Sequence, residues 1–294
     1  MTLLNRASDG LSTVLLTMFR ASRLLGPRSE AEFKALLAPG TIAETAQEKI
    51  QQTLTRWSQM GFFDIEEGRV VLGEGLENLE YRFELQPDLW ELRKATLSLV
   101  LEMAVTEGVH TVDDAVSGAW WVLSVDPFLH PIRNFDDVQR SLNETGADPY
   151  LIQNDTRWQG LLDWMQFWGL CLQSYSSFPL VPNPSEALGW FLDDLLQPGE
   201  KTPVIDFLRR LNEDLPIVPI LMDGPVTNSL SEKLAGEARP LQERGARLSI
   251  SLSLALETLQ AEGLLKLVEV DIADRWFLTH GDGRNTVTHL LREP

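Results

Sequence analysis

Four histidines, one cysteine and three adjacent aspartate pairs are the residues of this chain whose types could do chemistry. His110, His130, His280 and His289 are scattered, and none stands in a His-Glu-x-x-His or Cys-x-x-Cys spacing, so no zinc site can be read. Cys171 lies between Leu170 and Leu172. A reactive thiolate needs an electropositive, partly open surrounding, so this cysteine reads as a small core residue. The pairs Asp113-Asp114, Asp136-Asp137 and Asp193-Asp194 could hold Mg²⁺ or act as acid and base in a hydrolase. Each also fits a helix start or a solvated face, where a carboxylate complements the helix dipole. The segment His280-Gly281-Asp282-Gly283-Arg284 reads as a polar turn. Gly-x-Ser-x-Gly, Gly-x-x-x-x-Gly-Lys-Ser/Thr and Gly-x-Gly-x-x-Gly are all absent, so neither a serine nucleophile nor a phosphate-cradling loop is indicated. No catalytic residue, metal or cofactor is assigned, and a non-enzyme is expected.

What remains is recognition. Lys49, Gln52 and Arg56 take outward positions on one expected helix and could donate to bases or phosphates. Arg239, Arg244 and Arg247 lead into a second such helix, Arg275 sits in the hairpin beyond it, and Ser249, Ser251 and Ser253 are expected on its exposed side. Trp120, Trp121, Trp164 and Trp168 span more than one helix face. That pattern fits burial between layers or docking against another protein.

The elements that must position these residues can be followed along the chain. Leu11 to Leu25 is amphipathic at helical spacing and ends at Gly26-Pro27. Ser29 with Glu32 forms a capping box for a short second helix, broken by Pro39-Gly40. A third helix carries Ala46, Ile50, Leu54 and Trp57 as its stripe and stops at Gly61. Phe62 to Ile65, the turn Glu66-Glu67-Gly68-Arg69 and Val70 to Leu72 then form a hairpin. Three helices and a hairpin resemble, over residues 1–75, the winged helix-turn-helix superfamily.

The end of that unit recurs. Aligning Gly61, Gly169 and Gly263 places Leu54, Leu162 and Leu256 seven residues before each glycine, and Phe62, Leu170 and Leu264 directly after. The third copy's hairpin is expected to join Leu264–Val270 to Arg275–Leu278 across 271–274. Pro179 and Pro182 weaken the middle copy, since proline tolerates only an edge strand. Residues 76–200 read as mostly helical, with helices near 88–107, 112–125, 136–145, 155–172 and 184–196. The expected fold is mainly α with small β-hairpins. Winged helix-turn-helix domains lie at both ends (1–75 and 201–294), and the helical middle (76–200) has room for a degenerate copy at 150–182.

Charge narrows the partners. The chain of 294 residues carries a formal charge of −18, which opposes wrapping a polyanion. Residues 76–200, with 6 basic and 20 acidic side chains, hold −14 of it. The expected winged ends stay close to neutral, so local contact with double-stranded DNA is still open, and the middle fits a basic partner. A lone cysteine and no long apolar run imply a cytoplasmic protein without membrane contact.

Leu3-Leu4-Asn5, Ser8-Asp9-Gly10-Leu11, Leu54-Thr55-Arg56-Trp57 and Gly61-Phe62 together resemble the DpdG family. Those proteins belong to bacterial gene clusters that place 7-deazaguanine derivatives in DNA. The resemblance implies an accessory role in DNA modification and in restriction of foreign DNA, with no catalytic residues to carry over. The expected function is a non-catalytic adaptor of such a system, contacting DNA or the protein partners of a DNA-processing complex. The alternative is a transcriptional regulator reading an operator.

Overall fold

The computed structural model describes residues 3–4, 11–39, 44–79, 89–106, 112–172, 179–221, 247–270, 275–279 and 286–293. They form a mostly helical protein with small antiparallel sheets. Two compact units emerge, one of residues 1–115 with 153–168, the other of 116–152 with 169–294.

In the first unit, α1 (Ser12–Leu25), β1 (Arg28–Ser29), α2 (Glu30–Leu37), α3 (Glu44–Gln59), β2 (Phe63–Glu66) and β3 (Arg69–Leu72) follow one another closely. Ser29 caps α2 as expected: its hydroxyl accepts from the Glu32 amide, and the Glu32 carboxylate accepts from the Ser29 amide at 3.1 Å. The strands form one antiparallel sheet in the order β1-β3-β2. Its inner face and the three helices enclose an aromatic core of Phe19, Phe33, Trp57, Phe62 and Phe63, each at most 1% exposed. Two further helices belong to this unit, α4 (Trp90–Val105) and α7 (Asp155–Phe167). The α1 N-terminus has no side-chain cap of its own, and the Asp163 carboxylate of α7 supplies one, accepting from the Ser12 amide at 2.7 Å. Arg93 of α4 in turn satisfies the end of α7, donating to the carbonyls of Phe167 and Gln166.

The second unit contains α6 (Phe135–Thr145), β4 (Cys171–Leu172), β5 (Val181–Pro182), α8 (Ser185–Leu195), β6 (Lys201–Pro203), α9 (Val204–Asp214), α10 (Ile250–Ala261), β7 (Leu265–Val268), β8 (Trp276–Phe277), β9 (Thr286–Val287) and β10 (His289–Arg292). It also contains residues 116–124 of the helix α5 (Asp113–Ser124). α8 packs on both α9 and α10, and Asn183 just ahead of α8 donates to the Thr258 hydroxyl at 2.9 Å. The order β6-β10-β7 is the counterpart of β1-β3-β2.

That counterpart holds residue by residue. Gly61, Gly169 and Gly263 all have positive φ, between 62° and 75°, which lets the third helix of each segment turn directly into a strand. Two residues beyond each glycine the strands pair in one register: Phe63 with Leu72, Cys171 with Pro182, Leu265 with Arg292. The Gly73 amide donates to the Phe62 carbonyl at 2.9 Å, and the Glu293 amide to the Leu264 carbonyl at 3.3 Å. In the middle segment, the Leu180 amide donates to Ile132 just ahead of α6, as β3 pairs with β1 just ahead of α2.

One expected pairing is wrong. β7 joins β10, not the strand at Trp276–Phe277, which pairs with Thr286–Val287 instead. The segment 155–172 also divides, with helix to Phe167 and strand at Cys171–Leu172.

Candidate functional site

On α3, Lys49 and Gln52 are half-buried and Gln59 is exposed. The Gln52 amide is taken by Glu48, 2.7 Å away. Arg56 does not face outward: it is 3% exposed, and its Nη1 donates to the Leu3 carbonyl at 3.4 Å. Leu3 and Leu4 lie buried at 1% exposure, and the Leu4 amide is held by the Asp114 carboxylate at 2.9 Å. Leu3 therefore meets α3 at Arg56, off the stripe Ile50, Leu54 and Trp57. The hairpin following α3 exposes Asp64, Glu66 and Glu67.

On α10 the expected exposure of Ser249, Ser251 and Ser253 is overturned, since all three are at most 3% exposed. Ser249 is the N-cap, accepting from the Leu252 amide at 3.2 Å. Ser253 donates to the Ser249 carbonyl at 2.8 Å and accepts from the Thr279 amide at 3.1 Å. Arg247 is exposed, and so is Arg275, whose Nε lies 3.2 Å from Glu269. Arg239, Arg244 and the segment His280–Arg284 lie outside the described residues. Sequence spacing thus brings no cationic cluster together among the described residues of α3 or α10.

The tryptophans expected at a partner surface are mostly core. Trp121 is 5% exposed, and Trp164 and Trp168 are fully buried; only Trp120 is half-buried. Trp164 lies between Trp57 at 5.3 Å and Trp168 at 5.2 Å, centroid to centroid. Aromatic rings spanning several faces of α7 are explained by α7 having neighbours on several faces.

Among the aspartate pairs, Asp114 holds the Leu4 amide, and Asp137 and Asp193 are ion-pair partners. Asp137, 5% exposed, contacts Arg133 at 2.9 Å and Arg140 at 2.8 Å. Burial pushes its carboxyl up, but the Arg133 hydrogen bonds and the two guanidinium charges outweigh that and hold it below the usual value. Asp193 pairs with Arg292. No three metal-ligating side chains converge among the described residues. Burial, with the nearby Glu186 charge, pushes the Cys171 thiol up to about 12, which removes it as a nucleophile near neutral pH.

A groove of about 670 Å³ lies between the C-terminal end of α1, at Ser22, Arg23, Gly26 and Pro27, and the strands β2 and β3, a feature that spacing alone did not reveal. Val71 and Leu72 contribute apolar lining, and Asp64, Glu66, Glu74 and Glu77 contribute carboxylates. Alternation along β2 was the available signal, because it places Asp64 and Glu66 together on the face away from the core.

These features define a mostly helical protein with small antiparallel sheets. The chain belongs to the DpdG-like family, whose model matches residues 1–271. The resemblance read from the N-terminal residues is thereby shown. No curated protein and no solved structure matches the chain. No helix among the described residues is long and apolar enough to cross a membrane.

Proposed function

We propose that the chain is a non-catalytic accessory protein of a DNA-modification or anti-phage assembly, built from winged-helix segments and holding protein partners rather than reading bases. Family membership supports the setting. The order helix, strand, helix, helix and paired strands, with the first strand beside the last, supports a winged helix within residues 1–75 and a second at the C-terminal end, which takes α8 as its first helix and so starts earlier than the expected 201. The shared glycine and strand register supports a reduced copy ending at Pro182.

The observation that carries the adaptor reading is the fate of the third helix. A base-reading winged helix presents that helix, with cations near phosphate, to the major groove. Here α10 is covered along most of its length and α3 buries Arg56. Beside α3 the hairpin presents carboxylates. Among the described residues near α10, Arg247 is exposed and Arg275 is held by Glu269 at 3.2 Å.

Titrating the full chain with a labelled duplex at about 50 and 200 mM salt tests this, because phosphate contacts reveal themselves by a steep salt slope. The expected result is binding weaker than about 10 μM, as for non-specific contact, and co-purification of a tagged chain with DNA-modification proteins from its host. Tight, sequence-preferring binding would replace the adaptor with a regulator reading an operator. Loss of both binding and partners would remove both readings.

A further inference from the structure

The sheets β1-β3-β2 and β6-β10-β7 share a register but differ at their open edges. Phe62 accepts from Gly73, so alternation turns the main-chain groups of Asp64 and Glu66 toward β3 and those of Phe63 and Ile65 away from the sheet. The counterpart of Ile65 is Leu267, and its outward amide is taken by the Gln260 side chain at 2.8 Å. Gln260 stands three residues before Gly263; three before Gly61 stands Ser58, a short side chain that makes no such bond. Among the described residues nothing accepts from the Ile65 amide, and β2 is the edge of its sheet.

The surroundings of this edge specify what would fit it. Ile65 is 54% exposed on one face of the strand. Asp64 and Glu66 are exposed on the other, beside the groove that Glu74 and Glu77 also line, and neither is paired with a cation among the described residues. Arg23, which shares the lining, is engaged by the carbonyls of Glu77 and Leu79. Charged side chains on an edge strand discourage pairing with a like copy, here by carboxylate against carboxylate. The same charges admit a strand of opposite sign.

We propose that β2 receives an extended segment of a partner protein as a fourth strand, in alternating basic and apolar order. Two Lys or Arg residues lie beside Asp64 and Glu66, and the aliphatic residue between them covers Ile65. Main-chain bonds to Phe63 and Ile65 supply affinity, and the alternation supplies specificity. This deepens the adaptor reading by naming the surface and the chemistry of its partner.

A fluorescein-labelled decapeptide of alternating Lys and Val tests it against the full chain by anisotropy. It is expected to bind in the micromolar range, as peptide-sized interfaces do, and to weaken as salt rises. Three comparisons decide the proposal. A peptide of the same composition with its lysines in one block, a peptide N-methylated at alternate residues, and the variant Asp64→Lys/Glu66→Lys should each bind about tenfold more weakly, near 1.4 kcal/mol. The control Glu213→Lys/Glu262→Lys, which alters charge equally at exposed positions elsewhere, should change binding by less than about twofold. Equal binding by the blocked or N-methylated peptide, an unaffected Asp64→Lys/Glu66→Lys variant, or no binding of the alternating peptide overturns the added strand. The duplex and co-purification measurements are read separately, so the adaptor reading can stand or fall without it.

Discussion

Replacing Trp164 with alanine separates a tryptophan that holds the first unit together from one that waits for a partner. The side chain is fully buried, stacked on Trp168, with the tilted Trp57 ring 5.3 Å away and the Phe167 ring 5.7 Å away edge-on. Truncating a buried tryptophan costs about 3–5 kcal/mol, since the cavity collapses only in part. The broken aromatic contacts put this site near the upper half, about 4 kcal/mol. Against a typical total of about 5–15 kcal/mol, such a loss leaves the first unit marginal. Urea unfolding followed by far-UV circular dichroism should show the midpoint of that unit falling by about 1.5 M with little change in slope. The same substitution at Trp120, which is half-buried, should cost less than half as much. A loss below about 1 kcal/mol at Trp164, or an equal loss at Trp120, would refute the burial argument.

Asp163→Ala removes the acceptor that caps α1 from α7 and should destabilise the first unit by about 1 kcal/mol in urea, while Asp163→Asn, which keeps an oxygen, should cost less. Asp137 titrates below its ordinary 3.8 in the folded chain, so its contribution is complete above that value and is lost as pH falls through the lower, folded one. Asp137→Asn should therefore narrow its stability gap to the natural chain as acid unfolding is carried from pH 5 downward, and a constant gap would contradict the assignment. Cys171, with its thiol pushed up to about 12, should resist iodoacetamide at pH 8 and react on addition of denaturant. Rapid alkylation of the folded chain would show it to be open.

Local signals were legible in the sequence wherever a short stretch determines its own geometry. Ser29 with Glu32 announced a helix start, and the three aligned glycines announced the turn from helix into strand. Long-range coverage was not legible. Arg56 follows a helix-surface spacing, yet it is buried and donates to the carbonyl of Leu3, more than fifty residues earlier in the chain. Ser249, Ser251 and Ser253 are polar residues on a covered helix, satisfied by Pro219, Thr279 and one another. Their composition resembles that of an exposed face, and hydrogen bonding alone makes it compatible with burial. The true partner of β7 was hidden by distance along the chain, because a nearer apolar run offered a shorter hairpin.

That distance also bears on how the chain acquires its shape. β2 and β3 are joined by the two residues Glu67-Gly68, whereas β7 and β10 enclose the segment 269–288. Closing a loop about ten times longer costs roughly 2 kcal/mol more in chain entropy before any strand contact offsets it. The two sheets match in register but not in the order of their formation. The N-terminal hairpin can close early, as a local event. The C-terminal sheet must wait until β6, β7 and β10 meet across a longer stretch of chain.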